Sequence, residues 1–386
     1  MSRGTITGIK EKIIFKVKDL ADSGRLSGIL LLLATTVSLT LANISAGATY
    51  IDFWHTELHA GSLEKSIEHW VNDALMVVFF FFVGLEIKRE VLDGELASVQ
   101  KALLPTLAAL GGVIMPAVIY FSLNQTGTSS HGWAIPTATD IAFSLGILSL
   151  LGDRVPFGLK VFLTALAVID DLIAVLIIAV FYTSNIQTDM LLYAGIVVAV
   201  LCVLNYLKVD ATVWYLIPGA VLWYFILKSG IHATIAGVLL AMTIPLHKIS
   251  KLEHLLHEPV NYLIMPIFAL ANTAIILPTN ISNLLTSNLS IGVILGLTLG
   301  KPSGIVGMSW FAVKIKLAKM PEGLNWNHII GLGFTAGIGF TMSIFIASLS
   351  FKDIDLQNSA KIAIMLGTGI SAIIGLMWLT RISKAS

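Results

Sequence analysis

Charge is what this chain lacks. Only 12% of its 386 residues are Asp, Glu, Lys or Arg, 56% are hydrophobic, and the mean hydropathy is +0.87. A soluble domain carries about 25% charged residues, so this chain has too little polar surface to coat a particle in water. Lipid, which demands no such coat, is the solvent that suits it. A basic surplus is missing as well. The formal net charge is +1, and phosphate binding needs a clustered excess of Lys and Arg, which excludes nucleic acid as a partner. Cysteine is nearly absent. Cys202 stands alone, which excludes an intramolecular disulfide, a Cys-based zinc site and an iron–sulfur centre. Its apolar surroundings make it a small core residue by expectation, and no cofactor is expected.

What is present is apolar sequence in long runs. About 20 predominantly apolar residues cross a bilayer core as a helix. Breaks at charged or Gly/Pro-rich points then divide the chain into about twelve spans, near 25–43, 66–87, 102–123, 132–151, 157–182, 190–206, 212–227, 230–246, 258–278, 290–313, 328–350 and 361–381. The fold class is therefore an all-α polytopic membrane protein with a single transmembrane domain over 25–381, between an N-terminal segment 1–24 and a tail 382–386. The basic stretch through Arg25, the apolar run Leu26 to Ala42 and the small residues Ser45-Ala46-Gly47-Ala48 have the outline of a signal peptide. A long basic stretch, a near-spanning apolar run and many later spans favour an uncleaved first helix instead. Lys and Arg alternate between the connections. They cluster at Arg3 to Arg25, at Lys88, Arg89 and Lys101, at Arg154 and Lys160, at Lys208, at Lys248 and Lys251, at Lys314, Lys316 and Lys319, and at Arg381 and Lys384. The intervening connections hold few, such as Lys65, Lys228, Lys352 and Lys361. That bias places both termini in the cytoplasm. The outside connection 44–65 carries Tyr50, Phe53, Trp54 and His55. It suits a small β-hairpin with an edge open to a second copy, or an irregular interfacial loop anchored by aromatic rings.

The few charges inside spans ask for a reason, because at mid-bilayer each costs on the order of 2.5–3.5 kcal/mol on insertion scales. They are Asp140 in span four, Asp170 and Asp171 in span five, and Lys301 in span ten. Three acids and one base are not a simple structural ion pair, and the surplus negative charge calls for a mobile cation or bound protons. Asp170 and Asp171 are neighbours on one helix and point about 100° apart, so they cannot share one role. Two close carboxylates in an apolar setting cannot both stay ionised without a partner, so cation and proton compete for the same oxygens. Lys301 neutralises one of them by expectation, although a lysine near a span end also snorkels to the interface. Pro136 with the nearby Thr137 and Thr139, in Ala134-Ile135-Pro136-Thr137-Ala138-Thr139-Asp140-Ile141-Ala142-Phe143, suggests a broken helix in span four. Thr335-Ala336-Gly337-Ile338-Gly339-Phe340-Thr341-Met342-Ser343 suggests the same in span eleven. An interrupted helix in each half is the pointer to an inverted repeat with a midplane site. There Asp140 balances the positive N-terminal ends of the half-helices and Lys301 the negative C-terminal ends.

These residues resemble the NhaA-type sodium/proton antiporters along nearly the whole chain. The likeness is carried by Trp70-Val71-Asn72-Asp73-Ala74-Leu75-Met76, Val83-Gly84-Leu85-Glu86-Ile87-Lys88-Arg89-Glu90, Gly132-Trp133-Ala134-Ile135-Pro136, Thr139-Asp140 and Asp170-Asp171. It continues through Leu227-Lys228-Ser229-Gly230-Ile231-His232-Ala233-Thr234, Gly300-Lys301-Pro302 and Gly337-Ile338-Gly339-Phe340-Thr341-Met342-Ser343. The resemblance implies twelve helices with spans four and eleven broken and crossed. It also implies electrogenic exchange of outgoing Na⁺ or Li⁺ for incoming H⁺, at a bacterial inner membrane. It makes Asp171 the principal ion ligand, Asp170 its proton-carrying neighbour paired with Lys301, Asp140 the charge compensation of span four, and Thr139 a candidate ligand. A pH-response cluster is implied at Glu86, Arg89 and Glu90 with Glu253, His254 and His257, and His232 tunes it. Histidines beside acids titrate near neutral pH. Ile173 stands where the family usually has glycine, and the segment before Lys251 is shorter and less basic than in familiar members.

Other readings fit less well. An intramembrane aspartyl protease needs one catalytic aspartate on each of two helices sharing a proton, whereas here the acids are adjacent and a lysine is at hand. A passive channel presents rings of charge or carbonyls from several subunits. An organic-anion symporter leaves the aspartate pair unexplained.

Overall fold

A computed structural model of the chain describes residues 25–60, 63–183, 186–278 and 280–383. The expected cytoplasmic segment 1–24 and residues 384–386 of the tail lie outside them. In hydrocarbon no water satisfies a peptide group, so backbone closes its hydrogen bonds within each segment and helices result. The elements in order are α1 Arg25–Ala42, α2 Gly47–His55, β1 Glu57–Ala60, β2 Leu63–Ser66, α3 Ile67–Asp93, α4 Val99–Leu123, α5 Ile141–Ser149, α6 Phe157–Phe181, α7 Thr188–Tyr206, α8 Val213–Ser229 and α9 Ile235–Thr243. They continue with α10 Leu246–Pro259, α11 Met265–Asn272, α12 Asn288–Lys314, α13 Trp326–Ala336, α14 Phe340–Ser350 and α15 Ile354–Ser383.

Seven of these (α1, α3, α4, α6, α7, α12 and α15) are long and apolar enough to cross a membrane, and α13 with α14 makes an eighth, bent by 47° at its break. The remaining expected spans are covered by shorter pieces. Segment 132–151 divides into a 3₁₀ run Thr128–Thr137 and α5. Segments 212–227 and 230–246 become α8 and the nine-residue α9, separated where Gly230 adopts φ 85. Segment 258–278 becomes a π turn Val260–Ile264 and α11.

Three local expectations are corrected. Helix α3 continues to Asp93, so Glu86, Arg89 and Glu90 ride its last turns rather than a following loop. Helix α15 begins at Ile354, before the expected start of the last span, so Lys361 is a buried helical residue, 4% exposed, and not a loop charge. Cys202 is exposed on α7, the least buried long helix, and faces away from the core. Apolarity alone does not tell a lipid-facing position from a core one, because both solvents are apolar. Residues 44–65 hold α2 and an antiparallel hairpin in which Glu57 faces Ser66 and Ala60 faces Leu63.

The helix that carries Lys301 is seated by glycine. Helices α4 and α12 cross so closely that a Cβ on Gly304 would overlap the Gly111 carbonyl oxygen, and one on Gly111 would overlap that of Gly304. Such small-residue contacts let helix backbones approach in lipid. Gly304→Leu is therefore expected to separate the pair at a cost of about 1–3 kcal/mol or more, seen as a lower melting temperature in detergent.

Candidate ion-binding site

Two interrupted segments face each other at the centre of the molecule. One break, residues 138–140, separates the 3₁₀ run from α5; the other, residues 337–339, separates α13 from α14. The groups each break frees are taken up by the other. The Asp140 N–H donates to the Ile338 carbonyl at 2.7 Å, the Thr139 hydroxyl to the Ala336 carbonyl at 2.8 Å, and the Ser144 hydroxyl to the Thr335 carbonyl at 2.9 Å. In the opposite sense the Asp140 carboxylate accepts from the Phe143 N–H at 2.9 Å and, across the break, from the Thr341 N–H at 3.2 Å and the Thr341 hydroxyl. One buried carboxylate thus caps the N-termini of both α5 and α14, where orphan N–H groups and positive dipole ends converge.

Lys301 stands on the other side. Its ammonium donates to the carbonyl of Thr137, the last residue of the 3₁₀ run, and to Asp170 Oδ2 at 2.6 Å. Lys301 is 0% exposed and Asp170 2%. The π turn Gly296–Gly300 immediately precedes the lysine on α12, and such single widened turns are a common way to re-aim a functional side chain. Asp170 and Asp171 sit near the middle of the 25-residue α6, and the helical twist sends them apart. Asp170 turns to Lys301, with Thr139 against it. Asp171 instead lines a cavity of about 140 Å³, together with Asp140 and Thr341.

From there the cavity follows α3 along Phe79, Phe82, Val83 and Glu86 to His257 and Asn261. Those four α3 residues recur at helical spacing on one face, so the cavity runs about 10 Å along the helix axis. Asp171 Oδ1 and Asp170 Oδ1 are buried and have no hydrogen-bond partner among the described residues. An unpaired buried acceptor is costly, and a bare cation or a proton is what satisfies a carboxylate oxygen in an apolar cavity.

The remaining expected residues divide. Glu86 and His257 line the outer cavity, and the His257 ring meets Phe82 edge to face at 6.2 Å. Arg89 Nε donates to both Glu253 oxygens, at 2.9 and 3.1 Å, and Nη1 donates to Glu90 at 2.6 Å. Burial pushes the Glu253 carboxyl above the usual range and Arg89 pulls it back, while burial pushes the His257 imidazole down. His254 is exposed on α10. His232 is not brought to this cluster: it lies 3.8 Å from Asp73, bonds Thr234 at 3.0 Å and meets Phe345 edge to face at 5.3 Å.

Thr341 and Ser144 were not among the residues that the sequence marked for the site. Thr341 carried a signal in its place just past a Gly-Ile-Gly break, in the first turn of a helix where hydroxyls find anions. Ser144 carried none, because its acceptor belongs to another segment.

Buried acids, a buried lysine paired with one of them, and two interrupted helices that hydrogen-bond each other suit a secondary transporter for small cations rather than an enzyme. The profile of the family described as Na⁺/H⁺ antiporter 1 matches residues 18–379, and the chain belongs to that family. It is 54% identical over 373 residues to the Na⁺/H⁺ antiporter NhaA 2 of Flavobacterium johnsoniae, covering 94% of this chain and 91% of the relative. The Na⁺/H⁺ antiporter NhaA of Flavobacterium psychrophilum is 48% identical over 97% of this chain and 98% of its own length. That of Salmonella paratyphi A is 48% identical over 91% and 94%. The relatives and the apolar helices together make this a multi-pass bacterial membrane protein.

Proposed function

We propose that this protein exchanges cytoplasmic Na⁺ for external H⁺, with Asp171 as the ion ligand. The observation that carries the reading is the unpaired Asp171 carboxylate at the inner end of a cavity, beside an Asp170 neutralised by Lys301. Na⁺ entering along α3 meets Asp171 and displaces its proton. Asp170 trades its bond to Lys301 for a proton or for the ion, and Thr139 is at hand as a further oxygen ligand. Asp140 keeps the two half-helix N-termini neutralised throughout, so the crossing does not repel the cation. Because two carboxylates can each carry a proton, more protons move in than sodium ions move out, and the exchange is electrogenic. Li⁺, a smaller ion of the same charge and hardness, is carried too.

The reading includes twelve spans arranged as an inverted repeat, with 132–151 and 328–350 as the two crossed members. It places both termini in the cytoplasm of a bacterial inner membrane, and a homodimer formed through the hairpin of 44–65. The mutual hydrogen bonds of the two breaks support the repeat. The test uses inside-out vesicles acidified by respiration and watched with a pH dye. Na⁺ and Li⁺, but not K⁺, should alkalinise the lumen, and a potential-sensitive dye should respond with them. Silence to every cation would refute the exchange.

Regulation by pH is assigned to Glu253, with Glu86, Arg89, Glu90, His254 and His257 around it and His232 acting from a distance. Burial raises the Glu253 carboxyl, so the folded protein favours its protonated form. Stability from that proton is full at low pH and is lost as pH rises from the ordinary carboxylate range through the raised value. Ionised Glu253 then pairs fully with Arg89 across α3 and α10. Glu253→Gln, fixed in the protonated shape, should flatten the rise of exchange rate with pH; an unchanged profile would remove Glu253 from the regulation.

A further inference from the structure

At the end of α3 remote from Glu86, a second buried charge pair stands apart from the ion site. Lys361 on α15 lies 3.5 Å from Glu68 on α3, with side chains 5% and 17% exposed, and His55 of α2 approaches the same carboxylate at 3.9 Å. The pair borders a cavity of about 370 Å³ that is also lined by Trp54, Ala271, Asp355 and Asn358. The indole N–H of Trp54, a residue 7% exposed, has no hydrogen-bond partner among the described residues.

The placement of the pair is what matters. Helix α3 packs along α9 and α10, while α15 packs along α13, α12 and α14, the helices that carry the crossing and Lys301. The Asp171 cavity also lies between these two groups, with α3 and Met265 of α11 on one side and α5, Asp171 and Thr341 on the other. The two cavities are therefore two ends of one seam. At the Glu86 end the seam is open as far as Asp171. At the Glu68 end it is bridged by a largely buried ion pair.

We propose that Glu68 and Lys361 form the external latch of the transport seam. The pair is closed when Asp171 faces the cytoplasm, and it parts when the α15 group moves against α3 to present Asp171 outside. A buried ion pair suits this role because its strength depends steeply on geometry: displacement admits water to the 370 Å³ space beside it, and solvation of the separated charges offsets the lost attraction. Glu68 and Lys361 are positioning residues, with no contact to the transported ion. The proposal rests on the exchange reading above.

The test is made in a Cys202→Ser background, since Cys202 is exposed, with Ala271→Cys as a reporter in the outer cavity. Lys361→Met should speed labelling of that cysteine by a membrane-impermeant maleimide added outside, several-fold over the latched protein. It should also raise the apparent KM for cytoplasmic Na⁺ about three- to tenfold with little change in kcat, because the inward-facing fraction falls. The double reversal Glu68→Lys with Lys361→Glu should return both values toward the unmodified ones, which a general loss of folding would not do. Labelling and KM unchanged in Lys361→Met would overturn the latch, as would a reversal that fails to restore them while the protein is still membrane-inserted. Absence of exchange in the unmodified protein is a different result, and it refutes the exchange reading instead.

Discussion

Asp171→Asn is expected to abolish Na⁺-dependent alkalinisation of inside-out vesicles while the protein still inserts and folds. Asparagine keeps the shape of the side chain but carries no charge for the cation and no proton to give up. The α3 wall of the Asp171 cavity is apolar along Phe79, Phe82 and Val83 and supplies no oxygen there. Of the other acids that line the cavity, Glu86 stands at its outer part and Asp140 already accepts from three donors at the break. Loss of a buried charge partner costs about 3–5 kcal/mol, and each 1.36 kcal/mol is a factor of ten, so a fall of at least about a hundredfold follows. Asp171→Glu, which keeps the charge on a longer arm, should retain measurable exchange. Retention of full exchange in the asparagine variant would move the ion ligand elsewhere, with Asp170 the next to examine.

Lys301→Met should have the largest effect on stability. The methionine fits the volume of the lysine stem, yet it leaves Asp170 buried at 2% exposure with no countercharge. It also removes the donor to the Thr137 carbonyl at the first break. Breaking one side of a buried pair costs about 3–5 kcal/mol, whereas replacing both sides by apolar or neutral groups is often close to neutral. The expected result in detergent is a melting temperature many degrees lower for Lys301→Met, recovered in large part by Asp170→Asn with Lys301→Met. A single variant as stable as the parent would show that the pair does not hold the site together, and that Asp170 is already protonated in this state.

The two breaks show how far the residues could be read alone. Pro136, the threonines beside it and the Gly337-Ile338-Gly339 run mark where helices fail, since proline lacks a donor and glycine weakens a helix. That two such failures lie in different halves was legible, and so was the need for charge at their ends. The assignment of Asp140 to the positive helix ends was legible too, but the groups through which it reaches them were not. Asp140 reaches Thr341 across 201 positions and Lys301 reaches Asp170 across 131, and no local pattern encodes partners that distant. Lys361 misled for a similar reason. On the page it was a lysine beside Lys352 and Asp355 at the start of a span, the outline of an outside loop, whereas the fold sinks it against Glu68. Cys202 misled in the opposite sense, because apolar neighbours describe lipid contact as well as they describe a core.

Membrane residence, the main helices and the residue types that handle charge were therefore determined by the sequence itself. Each is a one-dimensional property: the length of apolar runs, the positions of prolines and glycines, and the scarcity of charge within spans. The tertiary structure decided the division of labour. On α6 the 100° between neighbours turns Asp170 to Lys301 and leaves Asp171 to the cavity, but only the packing of α12 and α3 beside α6 decides which aspartate meets the lysine and which the opening. A buried charge takes its role from the groups that solvate it, and in this protein those groups come from segments far away in the chain.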